Sequence, residues 1–252
     1  MDQLAFTGNP VYIDDRIQVL NHCDTFAILN RWGNISPGGK GVEGLYSRDT
    51  RFINKLELLI NGLRPELLSS NIKEENEILS VDLINPLMVL SNGVSLAPGM
   101  LHIRRSQFVQ EDFFHEKLYL KNYEKEPLPI EISFRFGSDF SDIFEVRGLT
   151  RATKGTLQKV SFIGQQSLKI AYQGLDAVQR TSIIEFGTPY YKSTEDGTVF
   201  FQVTLAPGQD VTLDYSIYFE QNNKPHKSFL SYFQARELLE PAIRKNNAYF
   251  PV

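Results

Sequence analysis

Apolar residues in this chain recur at every second position, and that spacing sets what it can fold into. Val199, Phe201, Val203 and Leu205 alternate with Phe200, Gln202 and Thr204. Val211, Leu213, Tyr215, Ile217 and Phe219 alternate with Thr212, Asp214, Ser216 and Tyr218, and Ile130, Ile132, Phe134 and Phe136 repeat the pattern. One apolar face per strand indicates antiparallel sheet whose other face is wetter or meets a second layer. Turn signals punctuate the strands: Asn61-Gly62, Ser91-Asn92-Gly93, Glu195-Asp196-Gly197 and Ala206-Pro207-Gly208-Gln209. Asn61-Gly62, between Leu58-Leu59-Ile60 and Leu63-Arg64, reads as a hairpin, because a two-residue primed turn needs positive φ at both centres. More than about a dozen candidate strands without intervening helices predict an all-β fold, a large antiparallel β-sandwich over residues 1–222. The 252 residues are enough to bury roughly three quarters of the unfolded surface without covalent staples. The period changes near the end. From Ser228 to Asn246, Phe229, Phe233, Leu239 and Ile243 recur at helical spacing, with Pro241 set to kink or end the helix near Glu240. Residues 223–252 are therefore expected to form a helical segment that caps the sheet or connects to something beyond it.

Charge and cysteine usage remove several functions. Lys plus Arg is 26 against 30 Asp plus Glu, a net charge of −4, so the basic excess of a nucleic-acid-binding domain is missing. The single cysteine, Cys23, allows neither an internal disulfide nor a CxxC site. The first twenty residues lack the basic start and apolar stretch of a secretory signal. No run approaches the roughly 20 apolar residues of a membrane span. A soluble cytoplasmic protein without nucleic-acid or membrane partners is expected.

The chemistry-bearing candidates are few. Neither GxxxxGK[ST] nor GxGxxG occurs, and Pro37-Gly38-Gly39-Lys40-Gly41 lacks a strand–loop–helix context, so it reads as a mobile hairpin loop. No GxSxG elbow supports a serine hydrolase. His102 and His115 fall in predicted strands; with a carboxylate they offer acid–base chemistry on a sugar ring, as in mutarotase-type sandwiches, or are simply hydrogen-bonded strand residues. No His, Asp or Glu spacing suggests a metal, and no cofactor is implied. Two charged clusters stand out. In Gly44-Leu45-Tyr46-Ser47-Arg48-Asp49-Thr50-Arg51-Phe52, Arg48 and Arg51 flank Asp49 and can present guanidinium forks to a carboxylate or a hydroxyl-rich ligand. From Asp139 to Arg147 lie three carboxylates, Asp139, Asp142 and Glu145, ahead of the arginine. Paired carboxylates at a suitable separation serve glycoside hydrolysis, whereas one ion-pair network pinning long loops explains the same residues structurally. Trp32, in a turn, and Tyr190-Tyr191, after Pro189, are the rings placed to stack on sugar C–H faces.

These clusters carry a family resemblance. Gly44 to Phe52, Leu56 to Asn71 and Asp139 to Gly148, with Val81 to Pro86 and Leu101 to Arg105 in support, resemble the N-terminal domain of bacterial and archaeal glycogen debranching enzymes of the amylo-α-1,6-glucosidase type. The resemblance covers nearly the whole chain. It implies a supersandwich of the kind found before helical-barrel glycosidases, in which the catalytic carboxylates belong to a following (α/α)₆ barrel. The chain is then a non-catalytic accessory domain that positions or stabilises that barrel, present in cis or in trans, and the C-terminal helix is the linker into it. Arg48, Asp49, Arg51, Asp139, Asp142, Glu145 and Arg147, with Trp32, Tyr190 and Tyr191, become candidates for a domain interface or one wall of an α-glucan cleft. None is expected to be catalytic. The alternatives are a free-standing carbohydrate-binding module and a mutarotase-like sugar-converting sandwich.

Overall fold

A computed structural model describes residues 17–37, 41–73, 78–222 and 230–239. The described residues open with β1 (Ile17–His22), β2 (Thr25–Asn30), β3 (Gly44–Ser47), β4 (Thr50–Ile53) and β5 (Lys55–Ile60). β6 (Glu66–Lys73), β7 (Ile78–Ile84), β8 (Met88–Val89) and β9 (Ser95–Leu96) follow, then the long strands β10 (Leu101–Gln110), β11 (Phe113–Asn122) and β12 (Leu128–Gly137). A single helical turn, α1 (Ile143–Val146), precedes β13 (Thr156–Leu157), β14 (Ser161–Ile163), β15 (Ser167–Gln173) and β16 (Gln179–Phe186). β17 (Lys192–Thr194), β18 (Thr198–Leu205) and β19 (Asp210–Gln221) complete the strands among the described residues.

The large sheet runs β13-β15-β16-β19-β11-β10-β7-β6, with β14 on β15, and two four-stranded sheets, β1-β2-β3-β4 and β17-β18-β12-β5, pack into the same core. Every strand pair is antiparallel. The alternation explains the layering. Phe134 and Phe136 of β12 point inward against Tyr215 of β19, with ring centroids 5.1 and 5.6 Å apart, and Phe186 and Phe201 close the same cluster at 5.4 Å. Edge-to-face aromatic pairs of this kind add about 0.5–1.5 kcal/mol each beyond the area they bury. The predicted β-sandwich is the observed fold.

Two local expectations differ from the structure. Asn61 and Gly62 do form the two-residue turn, with φ of 48° and 74°, and Ile60 and Leu63 exchange both backbone hydrogen bonds. The returning strand stops there, because Pro65 has no N–H to extend the ladder. The chain then crosses to the large sheet as β6. Near the C-terminus, residues 232–239 are helical, but the buried stripe is Tyr232, Ala235 and Leu239, while Phe233 is exposed. This stripe covers Ile78 and Phe108 on the outer face of the large sheet. Phe229, Pro241 and Ile243, like Gly38 to Lys40 of the glycine cluster, lie outside the described residues. Among those described, no helix is long and apolar enough to cross a membrane.

Candidate functional site

The two charged motifs fold against each other. Arg48 and Asp49 form the turn between β3 and β4, with φ of 46° and 62°, and both side chains are exposed. Arg51 follows on β4. Its Nε and Nη2 donate to Asp139 Oδ1 at 3.1 Å and Oδ2 at 2.5 Å, and its Nη1 donates to the carbonyls of Gly41 at 2.6 Å and Glu43 at 3.3 Å. The turn geometry sends Asp49 to solvent, so the carboxylate that the arginine grips is Asp139, 88 residues away, and not Asp49 as the local spacing suggested. Main-chain bonds complete the joint: Arg51 N donates to Ser141 O at 2.8 Å, and Ile143 N to Asp49 O at 3.0 Å.

Asp142 begins α1 in a capping box. Its carboxylate accepts from the Phe144 and Glu145 amides at 2.9 Å, and Glu145 accepts from the Asp142 amide at 3.2 Å. Arg151 pairs with Asp142, and Lys154 with Glu145 at 2.8 Å. Arg147 ends the turn with its side chain exposed. Burial pushes the Asp139 carboxyl up, but the Arg51 fork and Ser141 outweigh it and hold it below the usual carboxylate value. Asp142 is also held low: slight burial raises it, while its cap amides and Arg151 lower it further. Both carboxylates are therefore set as ionised acceptors, the opposite of a general acid, which needs a raised pKa.

Beside this joint lies a cleft of about 350 Å³, lined by Thr50, Asp142, Glu145, Arg151, Tyr172 and Arg180 among others. Arg151, Tyr172 and Arg180 carried no sequence signal, since they sit in a loop and on two ordinary alternating strands. Leu175, on the cleft lining, is 69% exposed, and Phe144, within the helical turn, and Leu149, after it, are 61% and 57% exposed.

The aromatic candidates are placed elsewhere. Trp32 is not a bare platform: the Arg64 guanidinium lies 3.8 Å from its ring centroid, and its Nε1 donates to Pro65 O at 3.2 Å. Tyr190 is 3% exposed, packed edge-on to Phe186 and donating its hydroxyl to Gly164 O at 2.9 Å. Adjacent in sequence, the two tyrosines differ in burial. Tyr191 is the exposed one, and its hydroxyl donates to Glu131 at 2.5 Å. That hydrogen bond, with a smaller effect of burial, pushes its pKa up to about 12.

The structure does not bring His102 and His115 together. They face Lys121 and Phe108 in the β10–β11 register, which separates them by six residues along the ladder, roughly 20 Å. His115 is fully buried between Phe108 and Phe113, and burial pushes its pKa down to about 3. His102 instead contacts Asp82 at 3.0 Å. Sequence reasoning also missed a buried pair inside the sandwich. Arg105 donates to Glu116 Oε1 at 2.7 Å and Oε2 at 2.9 Å, and to Trp32 O and Asn34 Oδ1. Gln107 and Tyr215 donate to the same carboxylate.

A family model described as the N-terminal domain of (some) glycogen debranching enzymes matches residues 20–216, which include both motifs of the joint. No curated protein matches the chain. Among solved structures, it is similar to a candidate kojibiose phosphorylase from the human microbiome, at 10% identity and a TM-score of 0.48, covering 84% of this chain and 27% of that one. It is also similar to a galactose mutarotase related enzyme from Lactobacillus acidophilus, at 7% identity and a TM-score of 0.47, covering 84% of this chain and 100% of that one. A galactose mutarotase-like protein from Lactobacillus casei ATCC 334 aligns at 8% identity and a TM-score of 0.44, over 81% and 100% of the two chains. The chain thus spans about a quarter of the length of the first of these structures.

Proposed function

Because the chain belongs to the family of N-terminal domains of glycogen debranching enzymes, we propose that it is a non-catalytic accessory domain for an (α/α)₆ glycosidase barrel, in cis or in trans. Its role in this reading is to present one rigid surface to the barrel and, through the adjacent cleft, to contact α-glucan. The Arg51–Asp139 fork carries the proposal. It locks a hairpin turn to the loop bearing α1, and so fixes Phe144, Leu149 and the cleft in one arrangement. Exposed apolar side chains around a charged cleft suit a partner surface. The low-set carboxylates Asp139 and Asp142 suit a brace, and neither is set as the general acid that hydrolysis needs. The exposed, unpaired thiol of Cys23 fits a reducing compartment, the cytoplasm.

The test pairs the chain with the barrel domain encoded beside it or elsewhere in its genome, and follows glucose release from α-1,6 branch points. The chain alone should release none, and the barrel should copurify with it and gain thermal stability from it. Arg51→Ala should cost about 2 kcal/mol, between the values for surface and buried pairs, and weaken barrel association in parallel. Hydrolysis by the isolated chain would overturn the reading. So would tight maltooligosaccharide binding by a chain indifferent to any barrel, which is the behaviour of a free-standing binding module.

A further inference from the structure

The outer face of the large sheet carries a second, chemically different groove. Period-two alternation sends His102, Arg104 and Ser106 of β10 and Lys117, Tyr119 and Lys121 of β11 away from the core, in register with one another. The helical residues 232–239 stand on this face and wall one end through Tyr232 and Arg236; Tyr123 closes the other. The groove's volume is about 560 Å³, larger than that of the cleft beside the motifs. Arg104, Lys117, Lys121 and Arg236 all line it, and no carboxylate is among the described residues that do. In a chain of net charge −4, four cationic side chains thus meet in one groove.

The surroundings hold the cations in place, with three carboxylates set against them. Asp82, the nearest carboxylate on β7, accepts from Arg104 at 2.8 Å and contacts His102 at 3.0 Å. Asp214 and Asp210 stand opposite Lys117 and Lys121 in the β11–β19 ladder. The Lys117 ammonium lies 5.2 Å from the centroid of the Tyr232 ring, and Lys121 at the same distance from Tyr123. Cation–π contacts position an ammonium while leaving its N–H donors available. Two lysines and an arginine on one floor, flanked by three tyrosines, suit a compact dianion on a small polar body better than a neutral glucan.

We propose that the groove between the outer face of β10–β11 and the helical residues 232–239 is a binding site for a phosphate dianion, carried by a sugar as its phosphate monoester or free as inorganic phosphate. The proposal does not rest on the accessory-domain reading, since every residue it uses belongs to the sheet face and helical residues described above. Lys117 and Lys121 bind the phosphate oxygens as point charges, Arg104 adds a planar donor pair, and Tyr119 and Tyr123 contact the attached sugar.

Titration of the full 252-residue chain with glucose 6-phosphate, inorganic phosphate and glucose, followed by calorimetry and by the tyrosine ring resonances, tests this directly. Glucose 6-phosphate should bind and shift the signals of Tyr119 and Tyr123, while glucose should not. Competition by inorganic phosphate at equal strength identifies the free ion as the ligand; much weaker competition identifies the sugar ester. Binding should weaken with salt, as expected for a partly exposed charge site. Lys117→Gln and Lys121→Gln should each weaken it about tenfold or more, whereas Lys159→Gln, which removes the same charge from an exposed loop, should leave it unchanged. Both groove substitutions are on solvent-facing positions, and an unchanged melting temperature verifies their folding. The absence of wild-type binding at millimolar phosphate ester, or equal binding by the Lys117→Gln/Lys121→Gln double variant, overturns the proposal.

Discussion

Replacing Glu116 with Gln should destabilise the sandwich more than any surface change, and the magnitude follows from its surroundings. Arg105 and Glu116 are both 0% exposed, so neither charge has access to water. The carboxylate accepts from Arg105, Gln107 and Tyr215, and the guanidinium also reaches Trp32 O and Asn34. Glutamine keeps the size and one acceptor, but leaves the guanidinium without a counter-charge. Removing one partner of a buried pair costs about 3–5 kcal/mol, because the surviving charge stays desolvated. For a domain of this length, each kcal/mol lowers the melting point by about 2–4 °C, so a fall of roughly 6–20 °C is expected. The double variant Arg105→Met/Glu116→Leu removes both charges and should recover part of that loss. Recovery stays incomplete, since the Tyr215 hydroxyl loses the carboxylate it donates to, at about 1–3 kcal/mol for a group left unsatisfied. Urea unfolding of Arg105→Met, Glu116→Leu and the double variant closes the cycle. A Glu116→Gln melting point within about 2 °C of wild type would falsify the claim that this pair is dry and mutually dependent.

Three other outcomes are expected. The His115 pKa is depressed to about 3 in the folded chain from an ordinary 6.5, so the unfolded state binds the extra proton first. Stability is then full above pH 6.5 and declines by up to about 1.4 kcal/mol per pH unit as pH falls toward 3; urea midpoints across that range should show a shallower decline for His115→Phe. Gly44→Ala would place a Cβ 2.5 Å from Arg51 Cδ and 2.9 Å from Tyr46, and displacing the arginine stem should cost about 1–3 kcal/mol, read as a lower melting point. Asp142→Ala removes the cap of α1 and should cost about 1 kcal/mol, with faster amide exchange at Phe144 and Glu145 as its local signature.

The contrast between what the sequence disclosed and what it withheld has a physical basis. Strand alternation is a local property, repeated at every second residue, so Ile130 to Phe136 and Val211 to Phe219 could be placed inward from spacing alone, as the buried pattern of β12 and β19 bears out. Helical spacing was equally visible near the C-terminus, but which face is buried depends on the partner. The sheet offers Phe108 and Ile78, and these select Tyr232, Ala235 and Leu239 over Phe233. The charged motifs were conspicuous as strings, yet their pairing is not local: Arg51 passes over Asp49, two residues away, to hold Asp139. The buried Arg105–Glu116 pair left even less trace, since in sequence each sits in a strand whose other face is polar. Its inward direction follows only from register, with Gln107 opposite Glu116 and both facing Tyr215. The same rule that hid this pair produces the phosphate groove. Arg104 and Arg105 are adjacent, and a period of two sends one to the dry core and the other to the open face. Exchanging their environments would need a one-residue slip of β10, which would also carry Ile103, Gln107 and Val109 out of the core. The buried pair and the basic groove therefore depend on one register, and variants that shift it should lose both together.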